Sequence, residues 1–171
     1  MTKYRGGGLM KKKLEQAEVL SVAAGNTYDF VMNYLIHACP DDRAGFSYRT
    51  AQYITFRKAK GGEMEALYEI QNVIILNPYD LHFGTILDGL DTSVSNRVKG
   101  YIKERLAKWE FSHPRENYRF YILSEKGKIE LPHLPKPNVN NPGARYYSLS
   151  ELRSGRKIVE VESSKPQKIY T

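Results

Sequence analysis

"YRTAQYITFRKAKGGEMEALYEIQNVIIL", residues 48–76, reads as two strands joined by a glycine turn. Tyr53, Ile54, Thr55 and Phe56 favour the pleat, and Gly61 and Gly62 stand where the chain must reverse. Leu67, Tyr68, Ile70 and the apolar run from 73 to 76 supply the returning strand, which Asn77-Pro78 ends. Glu65, Glu69 and Gln71 mark a wet side that gives way to an apolar end, the pattern of a sheet that curls toward a barrel. All the cations of this stretch (Arg49, Arg57, Lys58 and Lys60) fall in or beside the first strand and the turn, so the hairpin presents a basic rim.

Working outward, "EVLSVAA" at 18–24 is a short buried strand that runs into Gly25-Asn26. "NTYDFVMNYLIHACP" then sets Phe30, Val31, Tyr34, Leu35 and Ala38 at helical spacing. The expected helix has about three turns, with Asn26 or Thr27 as cap and Pro40 just past its end. Beyond a connector at 77–92, Val94, Val98, Tyr101, Ile102, Leu106 and Trp109 form an amphipathic stripe with Ser93 as cap, and Arg97, Lys99, Lys103, Arg105 and Lys108 occupy the other faces. "YRFYILSEKGKIELP" predicts a second hairpin, a strand at 118–124 turning at Lys126-Gly127 into a strand at 128–131. A Pro- and Asn-rich loop follows, then a capping box of Ser148 with Glu151 and a last short strand in "KIVEVE". Residues 1–16 read as a basic arm, 17–162 as one domain and 163–171 as a polar tail. Two hairpins exclude a purely parallel sheet. The fold class is therefore α+β, a mixed or mainly antiparallel sheet curled into a small barrel with helices at its side.

The chemistry legible in the chain is sparse. Cys39 is the single cysteine, so no internal disulfide forms. It is placed at a helix C-terminus, where the dipole raises a thiol pKa and disfavours a nucleophile. His37, His82, His113 and His133 are far apart and show no metal-ligand spacing. Gly6, Gly7 and Gly8 lack the Lys-Ser/Thr of a phosphate loop, and no cofactor is implied. A metal-dependent nuclease would need an acid on the strand after Asp41 and Asp42. That strand offers Thr55, Phe56, Arg57 and Lys58, leaving Glu63 and Glu65 beyond the turn. The residues lean away from an enzyme, and no catalytic or metal set is named. No apolar run approaches the ~20 residues of a membrane span, and the N-terminus lacks the apolar stretch of a secretory signal, so a cytoplasmic protein is expected.

Binding is what the sequence favours. The formal charge of +7 suits an anionic partner, because neutralising phosphates releases counterions. "VAAGNTYD" ends a strand and starts a helix. Gly25 lets a ligand approach the backbone there, Asn26 carries the donor and acceptor that read base edges, and Tyr28 has a stacking face.

This order of elements, with "EVLSVAAGNTYDFVMN" followed by "RAGFSYRTAQYITFRKAKGGEMEALYEIQNVII", resembles the PUA-like group of domains, which includes the EVE, ASCH and YTH modules. The likeness spans about residues 17–123. It implies a pseudo-barrel that binds RNA or DNA and reads a modified or flipped base in an aromatic-lined pocket between strand 1 and helix 1. Carried over by position, Ser21, Gly25, Asn26 and Tyr28 would line one side and Tyr48, Arg49 and Tyr53 the other. The chain departs from methyl-base readers in having no tryptophan there, since Trp109 falls on the second helix. Phosphates would be gripped by Arg43, Arg49, Arg57, Lys58 and Lys60 at the hairpin and by Lys99 and Lys103 on the helix. The rival reading is a protein-interaction module, such as a small inhibitor or subunit of a restriction or phage-defence system working in a larger complex. A nuclease is the third and least favoured reading.

Overall fold

The structure, a computed structural model, describes residues 17–42 and 48–162, so the expected arm, tail and Arg43 lie outside the described residues. In chain order the elements begin with β1 (Glu18–Ala23), a 3-10 turn (Gly25–Thr27), α1 (Tyr28–Tyr34), β2 (Ile36–Pro40), β3 (Tyr53–Arg57) and β4 (Met64–Leu76). They continue with α2 (Phe83–Leu87), α3 (Thr92–Lys108), β5 (Tyr118–Leu123), β6 (Ile129–Glu130), β7 (Lys136–Pro137), β8 (Arg145–Ser148), α4 (Leu149–Leu152) and β9 (Ile158–Val159). The class is α+β with a mostly antiparallel sheet. β1 runs parallel to β3 and β7 to β9, while the pairs β1–β8, β2–β5, β4–β5 and β4–β6 are antiparallel. No pairing among the described residues closes the sheet into the expected barrel.

The chain packs as two compact units. Among the described residues, one is formed by 17–25, 50–67 and 129–162, the other by 26–42, 48–49 and 68–128. In the first unit β3 lies between β1 and the start of β4, so both of its edges are paired, and Ile54, Thr55, Phe56 and Arg57 are all buried. The hairpin closes as the glycines require. Gly61 and Gly62 adopt φ of +82° and +77°, where L side chains are strained, and the Lys58 N–H donates to the Glu63 carbonyl. The core of this unit gathers Val19, Met64, Leu67 and Tyr147 with Leu149 and Leu152 of α4. Ser148 caps α4 as the capping box predicts, its Oγ accepting from the Glu151 N–H.

In the second unit, β2, β5 and the later part of β4 form a sheet in that order. One side, carrying Ile36, Ala38, Ile74, Leu76, Phe120 and Ile122, packs with Val98, Tyr101 and Ile102 of α3. The long helix appears where the stripe places it, but its cap is Asp91 and not Ser93, the carboxylate accepting from the Ser93 and Val94 N–H groups. The connector contains α2, which turns Leu87 into the core.

Two elements differ from expectation. The first helix ends at Tyr34 because Leu35 takes a left-handed φ of 51°, and "IHACP" pairs with β5 as a strand instead of completing the helix. The second hairpin does not form. β5 lies along the later part of β4 from Ile70, whereas β6 pairs with Ala66 and Leu67 of β4. A strand of 13 residues is long enough to take both, so β6 need not fold back on β5.

Ile122 is fully buried on the packed side of the second unit. Ile122→Ala is expected to lower unfolding free energy by about 2–5 kcal/mol. Urea denaturation checks this, and a loss below about 1 kcal/mol would contradict the core described.

Candidate nucleic-acid interface

In the first unit Arg57, expected on a phosphate-gripping rim, is instead buried, with only 1% of the residue exposed. Its Nη1 donates to the Ser21 carbonyl and to Ser21 Oγ at 2.9 and 2.8 Å, and its Nη2 donates to the carbonyls of Asn141 and Gly143. Every acceptor is neutral. Burial therefore pulls the guanidinium pKa down, and neighbouring Arg145 adds to that. Nε of Arg57 and the hydroxyl of Tyr147 are buried without a hydrogen-bond partner. Arg57 thus ties down the loop at 139–143. Asn140 fixes the same loop to the hairpin, its Nδ2 donating to the Lys58 and Ala59 carbonyls.

Ser21, expected in the base pocket, is buried as the acceptor of this arrangement and also donates to Met64 Sδ. Tyr53 packs against the first unit's core. Lys58 is exposed and pairs with Glu65, and Lys60 is exposed with no ion pair among the described residues. Gly25 is exposed at φ +54° with open space where a Cβ would stand.

In the second unit Asn26 is exposed, Tyr28 half-buried and Arg49 half-buried. Thr27 sits at the N-cap of α1 but makes no side-chain capping bond. Tyr48 is drawn into a cluster on the sheet side away from α3. The guanidinium of Arg119 lies 4.4 Å from the Tyr48 ring centre and pairs with Asp41, both Nε and Nη2 at 2.9 Å from Oδ1. The Tyr48 hydroxyl donates to the Pro40 carbonyl and lies 3.6 Å from Cys39 Sγ. Burial raises the Tyr48 phenol well above its ordinary value. Burial also raises Cys39, so the thiol is held protonated by desolvation and not by the helix dipole the sequence suggested. Beside it His37 stacks on Tyr121, and burial, with Arg105 adding to it, lowers the imidazole to about 4. With Asp41 engaged by Arg119 and Glu65 by Lys58, two of the acids weighed for a nuclease are already partnered.

On α3 the cations divide. Arg105 lies 4.1 Å from the Phe111 ring centre and donates to Tyr101, Arg97 donates to the Leu123 carbonyl, and Lys108 pairs with Glu104. Lys99 and Lys103, four residues apart, are exposed with no ion pair among the described residues. A groove of about 440 Å³ in this unit is lined by Glu69, Gln71, Asp91, Ser93, Arg97 and Lys126 among others, and by none of the six residues expected in a base pocket. Those six divide between the units, Ser21, Gly25 and Tyr53 in the first and Asn26, Tyr28 and Tyr48 in the second. Sequence reasoning missed Arg119 with Asp41, His37 on Tyr121, and the loop at 139–143. The alternation of polar and apolar residues in "YRFYIL" was the available signal for the first.

Compared with known proteins, the chain matches no family model, no curated protein and no solved structure.

Two outcomes follow from this geometry. Arg57→Met is expected to speed amide exchange across 139–143 by about tenfold, equivalent to about 1.4 kcal/mol of local stability. Unchanged exchange there would mean that the loop does not depend on the guanidinium. His37 binds protons more weakly folded than unfolded, so its contribution is full above the unfolded value near 6.5 and is lost as pH falls toward about 4. His37→Phe should flatten the stability–pH curve in that window, as read by thermal melts, and an unaltered slope would count against an imidazole kept neutral by the fold.

Proposed function

We propose that the protein binds nucleic acid through its phosphate backbone, with the uncompensated lysines of α3 as the principal contact. The observation that carries this reading is that Lys99 and Lys103 stand exposed and unpaired on one helix face in a chain of net charge +7, while the neighbouring Arg97, Arg105 and Lys108 are occupied within the fold. Exposed cations spaced one helical turn apart suit successive phosphates and carry no sequence information. Lys60 at the hairpin turn is a further phosphate contact.

The base-reading element is Asn26, which is exposed with its amide unbonded among the described residues and offers a donor–acceptor pair to a base edge. Together with Tyr28 it fits a PUA-like module that reads a base, modified or flipped, in RNA or DNA. A protein partner is the second reading, favoured by Leu81 and Ile86, which are 94% and 50% exposed beside Asp80 and Asp88.

The test is a salt titration of oligonucleotide binding by wild type and variants. Lys99→Ala/Lys103→Ala should weaken all sequences alike and reduce the log–log salt slope by about 2, whereas Asn26→Ala should remove about 1–3 kcal/mol of preference for one base. Absence of binding at low salt would give the protein-partner reading precedence.

A further inference from the structure

The first unit buries a cation that its own side chains do not neutralise. β1 pairs with both β3 and β8, and the registers Ala23↔Arg57, Ser21↔Arg145 and Val19↔Tyr147 put Arg57, Arg145 and Tyr147 on one face of this sheet. From the Ala23 row the Arg57 side chain reaches back to Ser21, where its Nη1 donates to the hydroxyl. The cross-strand partner of Ser21 is Arg145, and Tyr147 is one row further on. The three groups feel one another, Arg145 and Tyr147 acting on Arg57 and both guanidiniums on the phenol.

Two of them have a donor left over. Nη1 and Nη2 of Arg57 are spent on neutral oxygens of Ser21, Asn141 and Gly143, but its Nε and the Tyr147 hydroxyl have no hydrogen-bond partner, in residues that are 1% and 0% exposed. Buried polar atoms are nearly always bonded, and a leftover donor marks the place of a water or an ion. Charge decides between the two. Among the described residues no carboxylate pairs with Arg57 or Arg145. Glu151, the acid that acts on Tyr147, is itself held by Arg156 and the Glu160 N–H. A water would satisfy both donors and still leave the buried guanidinium without a counter-charge.

We infer that this unit binds a monatomic anion of the size of chloride between the Arg57 Nε–H and the Tyr147 hydroxyl, with Arg145 alongside. An oxyanion fits less well. Carboxylate and phosphate are gripped by the planar guanidinium fork, and Nη2 already donates to two carbonyls. A spherical ion accepts single hydrogen bonds from several directions, which is what remains here. The way in is the loop at 139–143, exposed along its length and tied to Arg57 by the Asn141 and Gly143 carbonyls, so the ion and the loop share one anchor. The site uses none of the lysines proposed to meet phosphate.

Thermal melts of the full chain at constant ionic strength, with sodium chloride replacing sodium gluconate, test this. The melting temperature should rise saturably with chloride, bromide should act alike, and Tyr147→Phe should raise the half-saturating chloride concentration about tenfold by removing one donor. Equal wild-type melting in chloride and gluconate would overturn the inference, as would a chloride response unchanged in the folded variant. Should the variant unfold, wild-type amide exchange decides: slowing confined to 139–143 when chloride replaces gluconate supports the site, and rates that ignore the anion or slow throughout the chain refute it.

Discussion

A backbone has one donor and one acceptor per residue, and a long strand must place all of them. β4 extends over 13 residues and meets this demand in segments, with β3 and β6 on its first residues and β5 on its later ones. Each compact unit takes part of this strand as one of its own, and each builds its core on the ladder that results. Among the described residues the later segment is paired along one edge only, and there the Val73 N–H is met by the Asn72 side chain.

The second constraint is electrical. A guanidinium buried with only neutral acceptors gives up hydration that four hydrogen bonds to Ser21, Asn141 and Gly143 must offset. Such a residue serves the fold, holding a Pro- and Asn-rich loop that has little regular structure of its own. The chain's surplus of positive charge is thereby sorted. Arg57, Arg97, Arg105 and Arg119 have planar forks engaged with carbonyls, rings or a carboxylate, whereas Lys60, Lys99 and Lys103 remain in water. That division is why the proposed contact rests on lysines.

The hairpin at 53–76, the long helix and the Ser148 cap were legible because each has a local cause: paired glycines after a β-rich run, an unbroken apolar stripe, and a Ser with Glu three residues on. The break at Leu35 was not, because leucine seldom takes a left-handed conformation and the apolar spacing runs on through Ala38. The partner of β6 was hidden for a different reason, since strand pairing at a distance leaves no periodic trace. At the candidate site, exposure of Lys99 and Lys103 follows directly from the helical period. Arg57 misled because a charge at a strand end ordinarily faces solvent. The small polar Ser21 within the apolar "VLSVA" was the hint that something buried needed an acceptor there.

The central claim is that the lysines left free by the fold are the ones that meet phosphate. Lysine acetylation of the folded protein, with and without a saturating oligonucleotide and read by mass spectrometry, tests it most directly. The account predicts protection at Lys99 and Lys103 in the complex and a smaller change at Lys108, whose ammonium already pairs with Glu104. Full reactivity of Lys99 and Lys103 in the bound state would contradict it.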